Sequence, residues 1–541
     1  MSDWSSHLVL APILLPLLAG AGMLLFDERN RTLRASLGLV STVLLIVVAA
    51  TLLYTADAAG PGSSLSVYRL GDWPAPFGIV LVLDKLSALM LMLTSFLALA
   101  ALVFSLARWH RAGVYFHPLF QFLLVGLNGA FLTGDLFNLF VFFEVTLTAS
   151  YGLVLHGSRI ARVKAGMHYI AVNLVASFLF LIGVSLIYGV TGTLNMADLA
   201  VAVPRILPAD RMLLEAGAAI LGIAFLVKAG MWPLGLWLPP AYTAAVPPAA
   251  AMLAITSKLG VYVVLRLSLL LYSGTEAPVQ FGGSWLLYGG LATIVFGIIG
   301  VLAAQETARI AAYSILVSSG TLLAAVGTNR VDVTVGALFY LVSSTLAVSA
   351  LFLLIELVER GREFGADMLA VTREAFGEFE EVEAEDEVDV GNPVPATMAI
   401  LGICFMSCAV LLAGLPPLSG FVAKIAIITG LLQSTGTAVA GVTWSYMALL
   451  IVSGFATLIA MSRAGIRSLW GAEEGAVPRV RLIEMAPVAG LLLLCAVLTV
   501  QAGPVIDYMQ ATAQALHAPH LYVRDVLPPP NGQPSAGERR P

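Results

Sequence analysis

Four ionisable residues stand where their neighbours are almost all apolar: Glu144 in Phe-Val-Phe-Phe-Glu-Val, Lys228 in Phe-Leu-Val-Lys-Ala-Gly-Met-Trp-Pro, Lys258 in Thr-Ser-Lys-Leu-Gly-Val-Tyr, and Lys424 in Phe-Val-Ala-Lys-Ile-Ala. A charge at the centre of a membrane helix costs roughly 2.5–3.5 kcal/mol on insertion scales, so such residues are rare and usually functional. One carboxyl and three amines can take up and release protons. Burial and a neighbouring lysine pull a carboxyl's protonation in opposite directions, which suits it to a relay. The plainer role for the same residues is a static ion pair that locks helices together. The sequence offers no Gly-rich nucleotide loop, nucleophile constellation or metal-ligand cluster, so no cofactor is expected and the chemistry is proton movement alone.

Two of the lysines sit beside helix breaks. Lys228 precedes Gly230, Trp232-Pro233 and Leu238-Pro239-Pro240, whereas Lys424 follows Gly414-Leu415-Pro416-Pro417. Proline frees carbonyls one turn back, and at membrane depth those need protein or water partners. A broken membrane helix carrying a charge marks an ion site near the bilayer midplane, and corresponding breaks in two halves point to an inverted repeat.

The rest of the chain supplies the helices that hold these groups. Its 541 residues are 59% apolar and 11% charged, with mean hydropathy +0.92; a soluble domain carries about a quarter charged residues. The sequence is read as an all-α polytopic membrane protein. Stretches long enough for a ~30 Å hydrocarbon core fall near 7–26, 35–54, 77–106, 113–133, 136–155, 165–190, 212–238, 243–272, 283–304, 308–327, 333–357, 396–434, 443–462 and 483–503, fourteen spans with the seventh and twelfth broken. The first lacks the preceding positive charge of a signal peptide and is expected to be retained. Loops after odd-numbered spans hold sixteen Lys and Arg, and loops after even-numbered spans four. Odd loops are therefore expected in the cytoplasm, with both termini outside.

Five basic residues remain inside the spans: Lys85, Lys228, Lys258, Arg266 and Lys424. Thr256, Ser257 and Tyr262 put hydroxyls near Lys258. Arg266, two turns further on, is expected either to snorkel at the helix end or to play a structural role. Asp84 and Lys85 are adjacent and point apart, and Asp135 reads as an N-cap. Cys404, Cys408 and Cys495 read as small packing residues. The acidic run within 360–395 reads as a solvated loop and residues 526–541 as disordered. No basic patch suggests nucleic acid.

The run Leu127 to Phe140, continuing into Phe143-Glu144, resembles the D-type subunit of the multisubunit Mrp/Pha cation/proton antiporters. The stretches Lys228 to Pro240, Ser257 to Tyr262 and Gly414 to Lys424 resemble the wider superfamily, which includes the antiporter-like pumping subunits of respiratory complex I. The resemblance runs from about residue 80 to 465 and implies two inverted five-helix repeats, helices 4–8 and 9–13. It places N-terminal helices at 1–107, the repeats at 108–272 and 273–465, a last helix at 466–505 and a tail at 506–541. It implies that Glu144 and Lys228 form a coupled pair, that Lys258 is a central relay and that Lys424 ends a lateral proton chain. It further implies obligate partner subunits, lipid, protons and Na+ or K+ as ligands, a bacterial inner-membrane location and a role in pH homeostasis, for a transporter rather than an enzyme. Complex I members often carry histidine where Ser318 stands, and other D-type antiporter subunits carry one near Ser343-Ser344. With neither here, water and hydroxyls are expected to join Lys258 to Lys424. Two other readings remain: a proton-pumping subunit of an NADH or hydrogenase-type redox complex, and a structural membrane subunit.

Overall fold

In lipid every backbone polar group has to be satisfied within the protein, which turns long apolar runs into helices. The computed structural model describes residues 7–27, 30–58, 65–157, 160–272, 282–376, 396–433, 441–470 and 480–527, the side chains of 361–376 and 470 excepted. The helices are α1 (Ala11–Leu24), α2 (Arg31–Ala58), α3 (Lys85–Ala107), α4 (Phe116–Leu132), α5 (Leu136–Val154), α6 (Ile160–Thr191), α7 (Met196–Ala202), α8 (Pro208–Ala229), α9 (Leu238–Ala244), α10 (Pro247–Tyr272), α11 (Gly283–Ala303), α12 (Thr307–Thr328), α13 (Val331–Phe376), α14 (Ala396–Ala413), α15 (Ser419–Leu432), α16 (Gly441–Gly465), α17 (Leu482–Val500), α18 (Ala502–Leu516) and α19 (Pro519–Val526). Twelve are long and apolar enough to cross a membrane, and shorter apolar helices lie at Leu8–Leu24, Phe116–Leu132 and Ser419–Leu432. With α14 and α15 taken as one interrupted span, the fourteen expected spans are present.

The spans α10, α12 and α13 are buried along nearly their whole length, whereas only about a third of α2, α14 and α17 is buried. The exposed side chains of the outer helices include Val47, Phe178, Ile299, Ile403 and Phe455. Such a surface is compatible with hydrocarbon and not with water. Lys258, Ser319 and the hydroxyls of α13 thus lie at the centre of the bundle.

Three elements differ from the sequence expectation. The third span does not start as helix: β1 (Ser66–Arg69) and β2 (Val80–Leu83) pair antiparallel first. Pro74, Pro76 and Gly78 break the chain there, and the apolar Val-Leu-Val-Leu run of β2, buried throughout, suits a strand. Helix α13 runs on past Arg360 to Phe376, through Arg, Glu, Ala, Leu and Met, which are good helix formers; the acidic residues beyond it, 377–395, lie outside the described residues. After the last span the chain forms α18 and α19, α18 packing on α13, while residues 528–541 lie outside the described residues.

A polar clasp joins distant segments on the arginine-rich face. The Trp109 indole donates to Glu356 Oε2 at 2.6 Å, Arg360 donates to Glu356 at 2.7 Å and to Glu484 at 2.8 Å, and Arg108 lies 3.7 Å from Glu356. It ties the α3–α4 loop, α13 and α17 together. On the opposite face Asp135 caps α5, its Oδ1 accepting from the N–H groups of Phe137 and Asn138 at 2.8 and 2.9 Å. Burial pushes the Asp135 carboxyl above its ordinary range, and these two donors oppose that push.

Candidate functional site: a row of buried amines

The two helix breaks place two lysines alike although their sequences place them differently. Helix α8 ends at Gly230 and α14 at Gly414, both left-handed at φ 79° and 72°, where glycine carries no Cβ penalty. Lys228 lies in the last turn of α8, at the negative end of the helix dipole. Lys424 lies in α15 but reaches back: its Nζ donates to Ala413 O at 2.9 Å, the end of α14, and to Leu450 O and Ser453 Oγ at 3.2 and 3.4 Å. Each ammonium therefore sits at the C-terminus of the half-helix before its break. At the first break the Val227 carbonyl accepts from the Gly230 N–H at 3.2 Å and from the Trp237 indole at 3.1 Å.

All three lysines are deeply buried, at 5%, 1% and 7% exposure for Lys228, Lys258 and Lys424. Gly260 allows α10 to cross the end of α8 closely, since a β-carbon there would lie 2.6 Å from Ala229 N. That crossing puts the turn carrying Lys258 beside the turn carrying Lys228.

Glu144 and Lys228 make no direct ion pair. Glu144 Oε1 and Lys228 Nζ are both buried with no hydrogen-bond partner among the described residues. The Glu144 charge nevertheless acts on Lys228 electrostatically, and the ammonium stands 5.1 Å over the Phe143 ring. A carboxyl and an amine, each short of a hydrogen-bond partner among the described residues, are separated by a gap in an apolar setting, where leaving such groups unpaired is expensive.

The surroundings of this gap are asymmetric along the membrane normal. Toward the arginine-poor face, Phe140, Phe143, Phe180 and Phe225 pack ring to ring with centroids 5.1–6.0 Å apart. Toward the arginine-rich face, hydroxyls follow one another. The Tyr151 hydroxyl is buried without a partner among the described residues, and its ring meets Tyr169 edge-on at 5.5 Å. Tyr169 OH and Ser150 Oγ are 2.8 Å apart.

Lys258 does not bond the hydroxyls nearest in sequence. Thr256 and Ser257 bond carbonyls one turn back, and Tyr262 bonds Phe131 O. The Lys258 Nζ donates instead to Ser319 Oγ on α12 at 3.3 Å. Hydroxyl pairs continue from there: Ser318 to Ser344 at 2.9 Å and Ser343 to Ser419 at 2.8 Å, with Ser419 opening the helix that carries Lys424. A void of about 10 Å³ lies between Ser318, Tyr340, Ser343, Ser344 and Thr457, about the room one water requires.

Two of the five in-span cations are resolved differently. Lys85 starts α3 and pairs with Asp57 at 2.9 Å near the arginine-poor surface. Arg266 does not snorkel; it is buried and forks onto Asp84 at 2.8 and 2.9 Å. Sequence reasoning missed Ser319, 61 positions from Lys258, because no local pattern links the two. It also passed over Tyr151 and Tyr169, whose hydroxyls inside apolar runs were a readable signal.

A polytopic bundle with a row of buried amines at its centre and half-helix ends aimed at two of them is the architecture of an ion-path membrane subunit. Residues 133–451 match the family model described as NADH:quinone oxidoreductase/Mrp antiporter, TM. A probable K(+)/H(+) antiporter subunit of the D type from Rhizobium meliloti (strain 1021) is 60% identical over 538 residues, covering 98% of this chain and 99% of that protein. The D-type Na(+)/H(+) antiporter subunit of Bacillus subtilis (strain 168) is 33% identical, covering 96% and 99%. A chain in the structure of the Mrp complex from Dietzia sp. DQ12-45-1b matches with TM-score 0.81 at 26% identity, covering 97% of this chain and 100% of that one. A chain of respiratory complex I from Thermus thermophilus shares the fold, with TM-score 0.73 at 22% identity and coverage of 95% and 99%. The chain belongs to the NADH:quinone oxidoreductase/Mrp antiporter membrane-subunit family.

Proposed function

We propose that this chain is the proton-translocating subunit of a multisubunit monovalent cation/proton antiporter and is not itself an enzyme. The observation that carries the reading is the unpartnered Glu144–Lys228 gap, followed across the bundle by Lys258 and Lys424. Glu144 takes up the proton, Lys228 senses the change in its charge, Lys258 relays, and Lys424 ends the row. The charge asymmetry of the loops supports a cytoplasmic arginine-rich face, extracytoplasmic termini and a place in the bacterial inner membrane. A redox-complex subunit shares the fold, but the relatives of higher identity carry antiporter names, and these support the antiporter reading. The structural-subunit reading fits poorly with charges left unpaired, since a locking role needs formed pairs.

The test is cation-driven proton movement in vesicles that hold the whole complex, with K+ and Na+ compared. Exchange with K+ exceeding that with Na+ is expected, in line with the name of the 60% identical relative. The chain expressed alone is expected to give none, and robust exchange by it alone would show that it needs no partners. No exchange with either cation in the intact complex would remove the antiporter reading.

Between Lys258 and Lys424 the hydroxyl pairs and the one-water void support a neutral path in place of a histidine. Ser344→Ala removes the partner of Ser318 and is expected to lower exchange about tenfold with complex yield unchanged. Ser344→Thr keeps the hydroxyl and is expected to retain most of it. Equal exchange by the Ala variant and the parent would redraw this segment.

A further inference from the structure

We infer that the proton path reaches the extracytoplasmic side through Lys258, by a polar column along α10 that ends in a cavity under the C-terminal helices. This rests on the relay reading above. On α10 three buried ionisable side chains, Lys258, Tyr262 and Arg266, follow at i, i+4 and i+8 toward the arginine-poor face; at that spacing they share one face.

The column is bonded from end to end above Lys258. Tyr262 OH lies 3.3 Å from Ser87 Oγ and donates to Phe131 O at 2.7 Å, while Arg266 Nε donates to Tyr262 OH at 3.0 Å. The outer end of the guanidinium reaches Asp84 at 2.8 and 2.9 Å and Ser87 Oγ at 3.2 Å. Asp84 and Arg266 then wall a cavity of about 290 Å³, together with Lys85, Gln514, Tyr522 and Asp525. That volume and polarity suit several ordered waters. The Tyr522 hydroxyl is buried there without a hydrogen-bond partner among the described residues, and Gln514 is exposed.

The Glu144–Lys228 gap has the opposite outlook. Its arginine-poor side is closed by the four phenylalanine rings, and its hydroxyls lie on the arginine-rich side. The gap exchanges protons with the cytoplasm, and Lys258, besides relaying toward Lys424, opens to the other side. A proton leaving Lys258 restores the neutral amine. The Tyr262 hydroxyl accepts that proton on its oxygen while its own hydrogen, which lies on Phe131 O, turns to Ser87 Oγ; the Ser87 hydrogen, which also lies on Phe131 O, turns to Asp84 at the cavity wall, so the hydroxyl chain is unchanged in composition. Arg266, held by Asp84, is a positioning residue: it orients the Tyr262 oxygen and cannot itself be deprotonated.

The test uses the whole complex in vesicles. Tyr262→Phe keeps the ring and its edge contact with Phe131 and removes the hydroxyl; exchange is expected to fall at least about tenfold at normal complex yield. In a second arm, Gln514→Cys is treated with a bulky, membrane-impermeant thiol reagent. Exchange is expected to fall after addition on the extracytoplasmic face and to stay constant in the unsubstituted chain, whose cysteines lie within spans. Full exchange by assembled Tyr262→Phe, or unchanged exchange after complete labelling of Gln514→Cys, would overturn the inference; the labelling arm decides if Tyr262→Phe fails to assemble. Glu144→Gln is run in parallel. If it too exchanges normally, the relay reading has failed; if it alone is inactive, only the outer path has failed.

Discussion

Glu144→Gln is expected to abolish exchange while the complex still assembles. Glutamine keeps the shape of the side chain and cannot hold a transferable proton. Oε1 of Glu144 makes no hydrogen bond to lose among the described residues, so the exchange of carboxylate for amide breaks no packing contact. Positioned proton-transfer groups contribute typically 10²- to 10⁴-fold, and a loss of at least about 100-fold is expected in proton flux measured in vesicles. Near-normal flux would remove Glu144 from the path.

The second large effect lies in the coupling of Glu144 with Lys228. Either residue alone is a bare charge in an apolar setting, at a cost of several kcal/mol. Removing one leaves the other uncompensated, whereas removing both leaves no charge. A double-mutant cycle with Glu144→Gln, Lys228→Met and their combination is therefore expected to show lower complex yield in Lys228→Met than in the double variant. Transport is lost in all three, so yield and the pH response of the remaining group carry the result. Because the two groups interact across a gap rather than through an ion pair, the coupling is read against the limit of about 0.5 kcal/mol for independent sites. Additive effects would mean that the gap is not a coupled pair.

Much of this architecture was legible in the sequence because the bilayer restricts what a chain can do. The spans follow from apolar length, and the buried lysines follow from the scarcity of charge around them. Gly230 with Pro233 and Gly414 with Pro416 announced both breaks. What stayed hidden depends on contacts between distant residues. Lys258 looked surrounded by Thr256, Ser257 and Tyr262, yet those hydroxyls satisfy carbonyls of the protein and the ammonium turns to Ser319. Arg266 and Asp84 are 182 positions apart, and nothing local distinguishes a paired arginine from one that snorkels. The expectation of a neutral link between Lys258 and Lys424 came from the absence of histidine, but its members, Ser318, Ser344, Ser343 and Ser419, emerged only from the packing of three helices.

The aromatic layer of Phe140, Phe143, Phe180 and Phe225 has an electrical consequence. Membrane voltage falls mainly across the parts of a protein that water and mobile charge do not enter. With hydroxyls on one side of the Glu144–Lys228 gap and packed rings on the other, the gap sits close to the potential of the arginine-rich side, and the field is concentrated beyond it. On the proposed route, a proton that passes from Glu144 to Lys258 and on toward the arginine-poor side crosses most of the voltage drop in that short distance. The work is up to about 2.3 kcal/mol per 100 mV for each charge, so the dry layer turns a lateral step between side chains into the step at which the membrane potential is felt.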